Sequence, residues 1–368
     1  MIMKLKTICV ALAVAAFVPV GQAQVAQHLS ATKANEYALV YSLPKTMIDV
    51  TIEAEVTVKK PGEFYKYAPK YLNISNPITK ESHSVKLLSA VLSTHGVIDT
   101  GQTYALQFKN GNPVVIDLDA AGIPLSINTE EIMQIESPEL PEPQAAQPTP
   151  LETEAARQVV SEEMLQSQST AKRAELAAQA IFAIRQTRSE LISGQAETMP
   201  PDGASLQLML NNLQAQEDAL MAMFVGTTST YTQVQTYLID PSAVESKNDA
   251  KIVVARLSAV DGIVAADDLS GAPVYVNLKV DARGQMPENE KGETLPFPKN
   301  GVPYCIPGEL TASVSFDGET VASKRLEIAQ LGVTYGLAPN SFTDKKKAIF
   351  VIYDPRTGAI SRQGPAIR

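Results

Sequence analysis

Asp49-Val50-Thr51-Ile52-Glu53-Ala54-Glu55-Val56-Thr57-Val58 alternates without a break. Val50, Ile52, Ala54, Val56 and Val58 fall on one side of an extended chain, and Asp49, Thr51, Glu53, Glu55 and Thr57 fall on the other. A period of two is the strand period. One apolar face and one charged face make a strand that packs on one side and is wetted on the other, as in an antiparallel sheet. Residues 36–43, 85–92, 104–108 and 114–118 alternate or run apolar over similar lengths. Pro61-Gly62 ends the central segment, and residues 63–72, with Phe64, Tyr65, Ala68 and Leu72 at helical spacing, predict one short helix against the sheet. His95-Gly96 reads as a turn and Asn110-Gly111-Asn112 as a hairpin turn. These segments form a β-rich domain over residues 24–136.

Residues 137–150, Ser-Pro-Glu-Leu-Pro-Glu-Pro-Gln-Ala-Ala-Gln-Pro-Thr-Pro, hold five prolines. Proline at that density opposes helix and sheet alike, so the stretch predicts a semi-rigid linker or surface loop. A helical hairpin is expected over residues 151–226. Its helices span 171–192 and 204–224, and Gly194, Pro200, Pro201 and Gly203 forbid a continuous rod. Ala177, Ala180, Ile181, Ile184, Arg188 and Leu191 share one stripe, and Leu206, Leu210, Leu213, Glu217, Leu220 and Phe224 form the facing one. Glu217 breaks its stripe within reach of Arg173 or Arg185, as a register-setting ion pair or, alternatively, a catalytic carboxylate.

Period two returns over residues 227–368, with strands expected at 230–239, 250–257, 273–280, 308–316 and 348–353. Strands, a helical hairpin, then strands again define the α+β class, with two antiparallel, sandwich-like β-rich modules flanking the hairpin.

Residues 1–23 read as a secretory signal. Lys4 and Lys6 precede an apolar run over 8–20 that is too short to span a bilayer, and Gly21-Gln22-Ala23 supplies a cleavage site. Removing it takes two lysines and no acid from 31 basic and 40 acidic residues, which leaves a net charge of −11. That sign argues against nucleic acid and anionic lipid as principal partners. Cys9 departs with the signal, so Cys305 stands alone and no internal disulfide forms; a buried reduced thiol is the favoured reading. Trp is absent and aromatics are 6% of the chain, which weakens a lectin-like reading.

His28, His83 and His95 stand at no metal-binding spacing. The pairs Asp117/Asp119, Glu130/Glu131, Glu162/Glu163 and Asp267/Asp268 reveal no second carboxyl held across a substrate, and Asp117-Leu118-Asp119 fits turn chemistry better than a calcium loop. Ser169-Thr170-Ala171-Lys172, Ser246-Lys247-Asn248 and Arg356-Thr357-Gly358 follow the order of a penicillin-binding-type serine site, and Ser42-Leu43-Pro44-Lys45 is a second S-x-x-K. Against that reading, Ser169 suits a helix N-cap and Arg356-Thr357-Gly358 follows Asp354-Pro355 in a turn. Glycine-rich phosphate cradles are absent. Met164, Met199, Met209, Met221 and Met223 cluster in or near the hairpin as an adaptable contact face or as core filler.

Tyr41-Ser42-Leu43-Pro44-Lys45-Thr46, Lys60-Pro61-Gly62-Glu63-Phe64, Ala180-Ile181-Phe182-Ala183-Ile184-Arg185, Phe224-Val225-Gly226-Thr227-Thr228, Asp268-Leu269-Ser270-Gly271, Ala329-Gln330-Leu331-Gly332 and Asp354-Pro355-Arg356-Thr357-Gly358 together carry a resemblance. The chain resembles an uncharacterised family of exported proteins from Bacteroidales-type bacteria, known as a domain of unknown function. The resemblance implies no activity, cofactor or site residue. The expectation is therefore an exported periplasmic or envelope-associated binding or scaffold protein without cofactor, metal site or assigned catalytic residue. Its partner is an envelope protein or a polysaccharide, and no transmembrane segment remains after signal cleavage. The alternative is a hydrolase of cell-wall or glycan substrates, carboxylate-based or of the Ser-Lys type.

Overall fold

The alternating segment lies inside β1, Leu39–Lys60, a single strand in a computed structural model that describes residues 39–106, 114–344 and 346–366. Pro44 does not interrupt β1 because it sits at a register shift against the next strand, where a residue without an N–H is tolerated. A 3-10 turn at Tyr65–Tyr67 and α1, Ala68–Leu72, replace the one helix expected there. Pro69 stands in the first turn of α1, the place in a helix that tolerates proline.

β2, Ser82–Leu106, returns antiparallel along β1 and merges two expected strands. His95-Gly96 is mid-strand rather than a turn, with Gly96 opposite Thr46. The glycine answers a close approach: a Cβ there would stand 2.0 Å from the Pro355 carbonyl oxygen. β3, Ile116–Leu118, and β4, Pro124–Ile127, follow. Residues 1–23 with Cys9, His28, the turn at Asn110-Gly111-Asn112, and positions 107 and 108 of the strand expected at 104–108 all lie outside the described residues.

Residues 129–149 form neither helix nor strand. Three short turns of helix come next: a 3-10 turn at Pro150–Glu152, α2, Glu154–Gln158, and α3, Glu162–Gln166. The hairpin follows as α4, Thr170–Ser193, and α5, Gly203–Val225. Local chemistry sets its ends. Ser169 Oγ accepts from Lys172 N at 3.4 Å, Asp202 Oδ1 accepts from Ser205 N at 2.8 Å, and Gly194 closes α4 at φ +72°.

The remaining strands are β5, Thr227–Ile239, β6, Asp249–Ser258, β7, Gly262–Val264, β8, Ala272–Ala282, β9, Val302–Phe316, and β10, Glu319–Leu337. A short α6, Asn340–Thr343, leads to β11, Ile349–Asp354, and β12, Ala359–Pro365. β10 has no counterpart among the expected strands, because a register shift between Ile328 and Val333 breaks its alternation.

Among the described residues three sheets form, in the orders β2-β1-β5, β10-β9-β8-β6-β7 and β12-β11-β4-β3. The first joins strands from both sides of the hairpin, and so does the third, where β11 pairs with β4. The two β-rich stretches are thus placed edge to edge through shared sheets. The apolar face of β1 (Ile48, Val50, Ile52 and Ala54) packs on Val274, Val276, Leu278, Leu310, Ala312 and Val314 of the five-stranded sheet. Each such fully buried Val, Leu or Ile side chain contributes about 1.5–3 kcal/mol. The opposite face holds cross-strand polar pairs: His95 with Asp49, Thr51 with Thr236, and Ser89 with Glu53.

A separate cluster seats the hairpin. Phe64 and Ala68 meet Ala174, Ala177, Ile181, Leu220 and Phe224, and the rings of Phe64 and Phe224 stand 5.4 Å apart. Burial is polarised along the hairpin, since the first half of α5 contains no buried residue. Among the described residues no helix is long and apolar enough to cross a membrane.

Candidate functional site

A polar cleft of about 910 Å³ opens where β2, β10, the β11–β12 turn and residues 135–139 meet. Its floor follows from register. Asp49 lies opposite Ser93, which puts Asp49, Ser93 and His95 on one face of the β1–β2 pair. His95 Nδ1 donates to Asp49 Oδ2 at 2.7 Å, while its Nε2 has no protein partner among the described residues. Ser93 makes no hydrogen bond to His95, so the pair lacks an attached nucleophile.

The rim is built on the turn over residues 354–358. Asp354, with 6% of its side chain exposed, accepts from Arg356 Nε at 2.9 Å and Nη2 at 2.7 Å. These bonds raise the Arg356 pKa above the ordinary arginine value, against burial. Gly358, at φ +72°, closes the turn with an N–H bond to the Asp354 carbonyl at 2.7 Å. Thr46 locks it to the sheets: its hydroxyl donates to Arg356 O at 2.9 Å and accepts from Ala329 N at 3.0 Å. Three of the stretches that carry the family resemblance, around Thr46, Gln330 and Asp354, therefore meet at one buried knot beside the cleft.

Carboxylates in the cleft are either bonded or unpaired. Asp49 is held by His95, and Asp119 Oδ1 accepts from Ala121 N and Ile123 N, each at 2.8 Å, as an Asx turn does. Glu136, Glu139 and Glu327 also line the cleft. The groups with the largest pKa displacements lie elsewhere. Burial pushes the Tyr41 and Tyr353 phenols well above their ordinary value and the Cys305 thiol up to about 12, and none of the three lines the cleft.

The other candidate residues are dispersed. Lys172 pairs with Glu175 at 3.4 Å, beside the cap Ser169 provides. Ser246, Lys247 and Asn248 lie in the loop before β6, where the Lys247 carbonyl accepts from Arg283 at 3.0 Å. Thr357 is buried, and its hydroxyl accepts from Ala359 N at 3.2 Å. The serine-site motifs therefore serve as helix cap, loop and turn. Lys45 reaches Asp240 at 3.1 Å, and Ser42 Oγ meets Thr103 Oγ1 at 2.8 Å.

Glu217 is held by two arginines, Arg185 Nε at 2.6 Å and Arg188 Nη1 at 3.0 Å, whereas Arg173 turns to Glu63 at 2.6 Å. Cys305 is a buried free thiol, and its Sγ donates to the Ala329 carbonyl at 3.7 Å. Met164 is core, and Met199 and Met209 are exposed toward the hairpin's outer end. The His95–Asp49 pair is an arrangement sequence reading missed. The alternation around Asp49 marked its wet face, but no local signal gives the register that sets His95 beside it.

An α+β fold of three antiparallel sheets with a helical hairpin, and a polar cleft without an attached nucleophile, defines the class. Over residues 37–361 the chain matches the family described as a domain of unknown function (DUF4831), and it belongs to that family. No curated protein and no solved structure matches it.

Proposed function

We propose that this is an exported, envelope-associated protein that works by binding or scaffolding, with another envelope protein as its partner. One observation carries the reading: the hairpin reaches past its own core. Beyond Ile181 the only buried side chain of α4 is Leu191, and Phe182, Ile192, Met199, Leu208 and Met209 are exposed on the outer half of the hairpin. Large apolar side chains kept in water at the end of a stiff element suit contact with a partner. Export is supported by the sequence of residues 1–23.

Pull-down from cross-linked envelopes tests this directly. The wild-type chain is expected to recover an abundant envelope protein, and a variant carrying Phe182→Ser, Ile192→Ser and Leu208→Ser is expected to lose it while melting like the wild type. Equal recovery by both proteins would remove the hairpin from the account.

A hydrolase of cell-wall or glycan substrates is the second reading, and the His95–Asp49 pair favours it. A histidine oriented through Nδ1 with Nε2 open is placed for general base work. Release of soluble fragments from peptidoglycan or glycans, lost on His95→Ala, would promote this reading over the first.

A further inference from the structure

β5, Thr227–Ile239, contains no charged residue, no proline and no glycine. It is also an edge: among the described residues β1 pairs with it on one side and no strand pairs with it on the other. An edge strand offers a row of open N–H and C=O groups to any extended chain, and proteins blunt such edges with charge, proline, brevity or a bulge. The other edge strands described each carry such a device. β3 and β7 have three residues each, and β12 holds Arg362 and Pro365. β2 holds Lys86 and Asp99, and β10 holds Lys324, Arg325 and the break between Ile328 and Val333. β5 has none of these, and its 13 residues follow β1 without a register shift.

Register fixes which backbone groups are open. The Thr232 N–H points away from β1, since it donates to the Gln144 carbonyl at 2.9 Å. Strand alternation then turns the N–H and C=O groups of Val234, Thr236 and Leu238 outward as well, and none of them has a hydrogen-bond partner among the described residues. The proline-rich stretch closes the edge at Thr232. At the other end the chain leaves the edge at Asp240, whose side chain caps a 3-10 turn at Pro241–Val244. The open window is therefore Val234–Leu238, where Gln235 and Thr236 are exposed and Leu238 is 57% exposed.

The chemistry of this window selects its own copy. A two-fold axis through Thr236 sets that residue against itself and Val234 against the partner's Leu238. In such a contact a charged residue would stand close to its own like, and here no residue is charged. The Val234–Leu238 pairs cover the exposed leucine. The central threonine pair repeats a contact that Thr236 already makes inside the sheet, where its Oγ1 meets Thr51 Oγ1 at 2.8 Å. A foreign strand rich in charge finds no ion pair on this edge.

We infer that two copies of this chain pair antiparallel through Val234–Leu238, which joins their three-stranded sheets into one sheet in the order β2-β1-β5-β5-β1-β2. Each of the three facing pairs exchanges two backbone hydrogen bonds, about six in all, and strand addition of this kind draws its affinity from those bonds. The contact uses β5 and leaves the hairpin free, so it goes beyond the reading above and is tested apart from it.

Sedimentation equilibrium of the full-length protein is expected to show a reversible doubling of mass as concentration rises. Leu238→Lys, at an exposed position, is expected to raise the concentration needed about tenfold, because a lysine on an edge opposes strand pairing. In a chain carrying Cys9→Ala and Cys305→Ala, Thr236→Cys is expected to form a disulfide between copies on mild oxidation. A hydrogen-bonded antiparallel pair holds its Cα atoms about 5.5 Å apart, within a disulfide's reach. Thr228→Cys, exposed on the same edge outside the window, is expected to stay unlinked.

A single-chain mass at every soluble concentration would overturn the inference, and so would a dimer that Thr236→Cys fails to link or a mass that grows past two copies. A dimer lost with Phe182→Ser, Ile192→Ser and Leu208→Ser but kept with Leu238→Lys would move the contact to the hairpin. In native cells, p-benzoylphenylalanine in place of Leu238 that links only to a different protein, or only within its own chain, would give the edge to another strand and overturn it as well.

Discussion

Gln330 gives Thr46 the pair of hydrogen bonds that a neighbouring strand would give. The Thr46 N–H donates to Gln330 Oε1 at 3.0 Å, and Gln330 Nε2 donates to the Thr46 carbonyl at 2.8 Å. Thr46 is fully buried, so neither backbone group has water to fall back on. The side-chain amide stands at the β10 register shift, where strand pairing lapses.

Gln330→Ala removes both partners at once. It is expected to destabilise the fold by about 2–4 kcal/mol, the cost of two buried backbone groups left unsatisfied. Urea unfolding measures this, and a loss under about 1 kcal/mol would mean that water replaces the amide.

Gly96→Ala probes the contact between β2 and the turn that forms the cleft rim. The new methyl would meet the Pro355 carbonyl oxygen at 2.0 Å, and backbone must move to admit it. A loss of about 1–3 kcal/mol is expected, with the cleft distorted. Gly101→Ala is the control, since its methyl meets only the Asp99 carboxylate at 3.3 Å. Thermal melts of the two variants should separate clearly.

Two buried tyrosines respond oppositely to loss of the hydroxyl. Tyr41 donates to the Pro303 carbonyl at 2.7 Å, so Tyr41→Phe is expected to cost about 1 kcal/mol. The Tyr353 hydroxyl is buried with no protein partner among the described residues, so Tyr353→Phe is expected to stabilise by about 0.5–1.5 kcal/mol. Paired denaturation curves at neutral pH decide the signs.

Alkaline pH should unfold the protein early. Burial raises the Cys305 thiol to about 12 and holds the Tyr41 and Tyr353 phenols above their ordinary value. The unfolded chain loses these protons from about pH 8.5 for the thiol and about pH 10 for the phenols, while the folded chain keeps them. Stability is therefore fully present below about pH 8.5 and falls as pH rises beyond it. Cys305→Ala and Tyr353→Phe should each flatten the decline, and unchanged slopes would show that other groups govern it. Modification of Cys305 by a disulfide reagent at pH 8 should likewise wait for unfolding.

Glu217 with Arg185 and Arg188 is expected to fix hairpin register rather than to react. Both arginines are partly exposed, at 44% and 34% of the side chain, so solvent screening limits each pair. A double-mutant cycle on Arg185 and Glu217 should return a coupling of about 1 kcal/mol. A larger effect of Glu217→Gln on any hydrolytic activity than on stability would reverse that assignment.

Wherever the signal is local, sequence reading located the elements. The period of β1 identified the face that packs, Ser169 and Gly194 marked the ends of α4, and the facing stripes anticipated the Arg185–Glu217 pair across the hairpin. It failed at Pro44, His95-Gly96 and β10, where a bulge or a close approach allows residues that elsewhere stop a strand.

Sequence by itself determined the α+β class and the hairpin, because side-chain periodicity and capping are written within a few residues. Only the tertiary structure decided that β5 pairs with β1, that His95 meets Asp49, and that Gln330 completes Thr46. The physical reason is that backbone N–H and C=O groups are the same in every strand. A strand's text states which face is apolar, and the choice of neighbour and register is settled by how distant side chains fit together once the sheets pack.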